Sequence, residues 1–187
     1  LEFRRVLFRS LCEFSGGFRE GTWNRDGVIL YGVDPSGLWR VPETGGTATQ
    51  VTAIDAARAE LQHSGPHFLP DGRRFLYHRV SRQKENQGTY IGSIATAPGQ
   101  QNLTRLFDSE SDALFTGGSD GDYLLYLSEG SLIARPFDSK RGEFAGDATT
   151  IADDVGSTGT YGWFSTSLTG TDRKSTRLNS SHITTRM

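Results

Sequence analysis

Apolar residues along this chain gather in short runs joined in pairs by turn residues, with no sustained helical spacing. The clearest pair is Phe68-Leu69 and Phe75-Leu76-Tyr77, with Pro70-Asp71-Gly72 between them. Asp-Gly between two apolar runs is a strong hairpin signal, because Gly takes positive φ freely and Asp tolerates it. The same arrangement recurs around Asp26-Gly27 and Asp120-Gly121. The aromatic residues that open successive copies, Trp23, Phe68, Phe115 and Phe164, lie 45, 47 and 49 residues apart.

Each whole copy predicts four strands. They cover 22–24, 28–31, 38–41 and 49–52 in the first copy, then 67–69, 75–79, 89–93 and 102–107 in the second. The third copy predicts 113–116, 123–127, 132–137 and 149–152, its central hairpin turning at Glu129-Gly130. Residues 11–14 are expected to close a preceding unit and 161–167 to open a following one. A period in the forties with four short strands per unit is the mark of a β-propeller blade. The expected fold is therefore all-β, a partial β-propeller of about three four-stranded blades. Propellers typically close with about four to eight blades, so the chain is expected to be an internal piece of a longer ring, six-bladed or larger.

The ends follow a different logic. Residues 1–10 can be written as CTG GAG TTC AGA CGT GTG CTC TTC CGA TCT. The opposite strand of that DNA, one base out of frame, encodes Asp172-Arg173-Lys174-Ser175-Thr176-Arg177-Leu178-Asn179-Ser180. Both ends resemble translations of a sequencing-library adaptor, so 1–10 and 172–187 are expected to be non-native tails flanking a propeller segment over 11–171. Such segments are set aside in fold reasoning. The whole chain of 187 residues carries a formal net charge of −2, but the two tails contribute +2 and +3, which leaves −7 for the body. An acidic body argues against a nucleic-acid surface, which rests on clustered Lys and Arg. No stretch approaches the ~18 apolar residues of a membrane span, so no membrane contact is expected of this segment itself.

Candidate chemistry is sparse. Cys12 has no partner for a disulfide and is expected to be a buried strand residue. Gly117-Gly118-Ser119-Asp120-Gly121 fits the nucleophile-elbow string, but that motif needs a helix after the Ser and here a strand is expected. Asp108, Glu110 and Asp112 are spaced like the opening of a calcium loop, yet Ala113 and Ser119 stand where Gly and Glu are needed. A solvated acidic connection is expected there. His63 and His67 are separated by Gly65-Pro66, which spoils a metal-binding pair. The 81–88 stretch is charged, without an apolar anchor, and is expected on the surface. Trp23, Trp39, Tyr77, Tyr90, Tyr126 and Phe137 recur at matching positions and are expected to pack between blades rather than stack on bases. No catalytic, cofactor-binding or metal-ligating residue is assigned, and no cofactor is expected. Kinase motifs are absent from the sequence, so any kinase chemistry would lie outside this chain.

The run from Phe68 to Tyr77, with Leu38-Trp39-Arg40-Val41-Pro42 before it and Ile133-Ala134-Arg135-Pro136-Phe137 after it, resembles the TolB-like family of WD-like propeller repeats. The first copy departs from it in having Arg25 in place of Pro, and the third is longer by two residues. Gly21-Thr22-Trp23-Asn24-Arg25-Asp26-Gly27 is also similar to the propeller found C-terminal to bacterial serine/threonine protein kinase domains. That resemblance implies a sensing module, binding a protein or a small-molecule ligand, in the periplasmic or extracytoplasmic part of a membrane-anchored parent. Related repeats also accompany peptidase domains, where they filter substrates, and occur in periplasmic assembly proteins. Recognition is expected on the 81–88 and 108–112 loops, since a blade's strands fill the ring and leave its loops free.

Overall fold

The computed structural model describes residues 10–13, 16–118 and 121–166. Both tails apart from Ser10 lie outside the described residues, as do Phe14, Ser119, Asp120 and Ser167. The described chain is all-β apart from three short 3-10 turns, and its strands form antiparallel sheets.

Three sheets follow one another as simple meanders. The first comprises β1 (Gly17–Trp23), β2 (Val28–Asp34), β3 (Leu38–Pro42) and β4 (Thr49–Gln50), in that order. The second repeats this with β5 (Glu60–Phe68), β6 (Arg74–Ser81), β7 (Gly88–Ser93) and β8 (Arg105–Phe107). The third runs β9 (Leu114–Gly118), β10 (Gly121–Ser128) and β11 (Ser131–Asp138). The outer edge of β11 pairs with β12 (Glu143–Phe144) at one end and β13 (Thr149–Ala152) at the other. A small hairpin, β14 (Ser157–Thr158) with β15 (Tyr161–Gly162), follows.

The turns form where their residue types dictate. Gly72 has φ +69°, and Asp71 stabilises its own turn by accepting from the Arg73 and Arg74 amides, each at 2.8 Å. In the first sheet Asn24 takes that role, accepting from the Asp26 and Val28 amides at 3.1 and 2.8 Å. Glu129 and Gly130 both lie at positive φ, +50° and +77°, as a two-residue type I′ hairpin requires.

Successive side chains on a strand point to opposite faces, and here both faces are buried. Leu30, Leu38, Val51, Phe68, Phe75, Tyr77 and Tyr90 form the core between the first and second sheets. Leu76, Leu124, Tyr126, Phe115 and Phe137 form the core between the second and third. Leu125, Leu127, Leu132 and Ala134 face outward from the third sheet and are covered by Val155 and Phe164. On the far side of the first sheet Tyr31, Val33 and Val41 pack with Cys12 and Trp39. Continuous apolar runs such as Leu124-Leu125 therefore feed two cores at once, one residue to each.

Several expectations need correcting. The first strands of the first two sheets begin earlier, at Gly17 and Glu60. In β5 the Gly65-Pro66 pair does not end the strand, because a bulge between Ser64 and His67 absorbs it. Leu11, Cys12 and Glu13 lie in no strand, and Cys12 is half-buried with its Sγ 3.4 Å from the Tyr31 hydroxyl. Tyr161 opens no long strand but sits in the two-residue hairpin. Trp23 is 60 % exposed. It pairs across with Ile29, on the face of the first sheet that is turned away from the second, so no described sheet covers it.

Candidate functional site

The loops on which recognition was expected meet at one end of the second and third sheets. A cleft of about 390 Å³ opens there, with Arg82 and Lys84 on the 81–88 side, Asp108 and Glu110 on the connection to β9, and Glu129 on the β10–β11 turn. The lining thus carries both cations and carboxylates.

The walls are held by polar anchors that an apolar pattern does not reveal. Asn86 is buried and donates through Nδ2 to the Arg58 carbonyl at 3.2 Å and to Gln83 Oε1 at 2.7 Å. Its own carbonyl accepts from the Tyr90 hydroxyl at 2.9 Å. Arg105 Nη1 donates to the Lys84 and Gln87 carbonyls at 3.0 and 2.7 Å. The 81–88 loop is on the surface as expected at Arg82, Gln83, Lys84 and Glu85, but its two ends and Asn86 are buried.

The acidic connection is solvated only in part. Asp108 and Glu110 are exposed, whereas Ser109, Ser111 and Asp112 are buried. The chain crosses from β8, at one edge of the second sheet, to β9, at one edge of the third, and Ser109, Ser111 and Asp112 turn inward to pin it. Ser109 Oγ lies 2.8 Å from Thr89 Oγ1 and 3.2 Å from His78 Nδ1. Ser111 Oγ accepts from the Leu127 amide at 3.2 Å. Asp112 Oδ1 accepts from Ser64 Oγ at 3.0 Å.

The Ser109–His78 pair borders the cleft but is not arranged as nucleophile and base. His78 Nε2 has no hydrogen-bond partner, so no third group orients the ring. Burial pushes His78 down to about 4, against the pull of Asp108, far from the neutral range useful to a general base.

His63 is wholly committed to the fold. Its Nδ1 lies 2.7 Å from Thr52 Oγ1 and its Nε2 3.1 Å from Glu60 Oε2. Thr52 Oγ1 accepts from the Leu38 amide at 2.7 Å, so its own hydroxyl proton goes to Nδ1 and the ring proton sits on Nε2. Burial keeps His63 below its ordinary value, despite Glu60, which fits a neutral ring. Glu60 is opposed by burial, but His63, the Asp55 amide and Arg79 outweigh it and hold the carboxyl at about 2. Arg79 completes the network with Nη1 2.9 Å from Glu60 Oε1 and its guanidinium over the Tyr90 ring. His67 is half-buried and also held below its ordinary value by burial. No group of three metal-binding side chains occurs among the described residues. Of the elbow-like string, Gly117 and Gly118 end β9 and Gly121 opens β10, so a strand follows it, while Ser119 and Asp120 lie outside the described residues.

Compared with known proteins, the chain matches no family model and no curated protein sequence.

Proposed function

We propose that this chain is a non-catalytic segment of a TolB-like β-propeller that binds a protein or small-molecule ligand as the sensor of a bacterial serine/threonine kinase receptor. The observation that carries the binding role is the 390 Å³ cleft, in which the two loops singled out in the sequence meet and whose lining carries charges of both signs. Such a lining suits a ligand bearing both signs, for example a peptide segment with adjacent acidic and basic groups. Its anchored backbone lowers the ordering cost of binding.

What supports the propeller is the succession of three meander sheets stacked face to face, with β1 against β5 and β5 against β9. The uncovered Trp23 on the first sheet suits contact with a preceding blade. The kinase association rests on the resemblance at residues 21–27.

Recovery of the coding sequence without its adaptor ends tests this. Further repeats of the same period and a serine/threonine kinase motif set upstream are expected, and a gene with no kinase motifs upstream refutes the receptor role. Purified chain is expected to transfer no phosphate from ATP. Transfer abolished by a single substitution within the chain refutes the non-catalytic role.

A further inference from the structure

A second cleft lies away from the loop end, where the middles of β1 and β5 meet the start of β9 and the 160–164 segment. It measures about 210 Å³ and is lined by Glu20, His67, Asp112, Leu114, Tyr161 and Phe164, with glycines between them. That is several times the ~30 Å³ share of one water molecule.

Two carboxyl groups from distant parts of the chain face each other in it. Asp112 is 7 % exposed, and its position is fixed on two sides: Oδ1 accepts from Ser64 Oγ at 3.0 Å, and the Asp112 amide donates to the Thr160 carbonyl at 2.9 Å. Glu20 takes a hydrogen bond from the Gly65 backbone, and the two carboxyl groups lie within hydrogen-bonding reach of each other, but Asp112 Oδ2 and Glu20 Oε2 are buried and no other group donates to them. A buried carboxylate oxygen without a donor is costly, and both of these oxygens belong to residues that line the cleft. Gly65, at φ +55°, makes room for Asp112: a Cβ there would lie 2.1 Å from the Asp112 Cγ.

We propose that this cleft binds a small organic ammonium ion, its N–H groups donating to Asp112 Oδ2 and Glu20 Oε2 and its alkyl part lying against Leu114 and Phe164. An ammonium brings three donors and no acceptor, which is what two orphaned carboxylate oxygens lack. A divalent metal fits less well, since calcium takes about six to eight oxygens and the described residues hold no trio of ligating side chains.

Protons compete for the same oxygens. Burial and the neighbouring carboxyl raise Asp112 well above the carboxylate range, and burial raises Glu20. The other titratable groups around the pair do not replace the missing donor. Arg19 is held by Asp34 and by the Tyr161 hydroxyl, His67 is kept down by burial, and Tyr161 is raised. Binding of an ammonium therefore releases a proton, and it strengthens as pH rises.

Calorimetric titration of the full chain with n-butylammonium chloride, 1-butanol and calcium chloride tests the assignment. Butylammonium is expected to bind saturably, more tightly at pH 8 than at pH 5, with a heat that depends on the ionisation enthalpy of the buffer; butanol and calcium are expected not to bind. Glu20→Gln is expected to weaken butylammonium about tenfold, the effect of losing one charge-assisted hydrogen bond, with the circular dichroism spectrum unchanged. Should that variant not fold, the pH dependence of the unaltered chain decides. Absence of saturable binding, affinity that ignores pH or Glu20, or calcium binding tighter than the amine each overturns the proposal and leaves a carboxyl pair closed by its own shared proton or by a metal.

Discussion

Gly65 and Asp112 occupy each other's space: the Asp112 carboxyl group fills the place where a side chain at position 65 would begin. Gly65 also sits at φ +55°, in the left-handed region. Gly65→Ala combines the backbone penalty of about 1 kcal/mol with a clash in a packed site worth ~1–3 kcal/mol. The expected loss is about 2–4 kcal/mol in urea denaturation. Gly99→Ala, where a Cβ meets nothing within 4 Å, is the control and should change stability by less than about 0.5 kcal/mol.

Thr52 joins the end of the first sheet to the start of the second. Its hydroxyl accepts from the Leu38 amide and donates to His63. Thr52→Val keeps the volume and leaves both partners buried and unpaired, at a cost of about 1–3 kcal/mol each way of the same order as any buried polar group left unsatisfied. Denaturant midpoints for the variant should fall accordingly, and a stability equal to that of the parent chain would contradict the assigned network.

Acid should weaken the fold in two stages. His78 has its ordinary value of 6.5 in the unfolded chain and about 4 in the folded one. The unfolded state takes the proton first, so stability is full above pH 6.5 and falls between 6.5 and 4, by on the order of 3 kcal/mol. Glu60, at about 2 against 4.5 unfolded, contributes above pH 4.5 and loses its contribution as pH drops from 4.5 toward 2. Urea midpoints measured from pH 7 to pH 3 check this. His63 and His67, also held below their ordinary values by burial, act in the same sense. His78→Gln should reduce the slope of the upper stage without abolishing it and leave the lower stage in place, and an unchanged slope between 6.5 and 4 would rule His78 out as a source.

Asp112 works in the opposite sense. Its carboxyl is raised in the folded state, so its contribution is present below the unfolded value and is lost as pH rises through the folded value. Asp112→Asn, which cannot ionise, should gain stability relative to the parent chain as pH increases from 5 to 8. A difference that stays constant over that range would contradict the raised carboxyl.

The strands legible in the sequence were those whose apolar runs stand between strong turn signals. Val28 to Tyr31, Phe75 to Tyr77, Tyr123 to Leu127 and the Glu129-Gly130 hairpin lie where the pattern places them. The first half of β5 was hidden because Glu60, His63 and Ser64 are polar and buried, stabilised by partners far away in sequence such as Arg79 and Asp112. β12 escaped notice for its shortness, although the Asp138 turn leading into it, capped by the Lys140 and Arg141 amides, is a local signal. Of the loop cleft, both segments were singled out, but their meeting, the anchor at Asn86 and the burial of Asp112 depend on tertiary contacts that no local pattern encodes. The second cleft has no signal in the sequence, since Glu20 and Asp112 lie far apart in the chain, Glu20 stands in no motif, and the calcium-loop-like spacing that includes Asp112 points to a solvated connection instead.

Because β6 is apolar toward both neighbouring sheets, hydrophobicity alone cannot choose how it pairs. A slip of one residue would exchange Leu76 with Phe75 or Tyr77 and still bury carbon on both sides. The end of the strand makes the choice instead. Arg79 belongs on the side where Glu60 and the Tyr77 hydroxyl wait for it, and His78 on the side of Ser109. Shifted by one place, the guanidinium would lose its carboxylate and be stranded in a dry interior, a penalty of about 3–5 kcal/mol. The buried polar residues of this strand thus act as a key cut to one alignment, and the chain can afford uninterrupted apolar runs because a charge, read at a single position, rejects the wrong one.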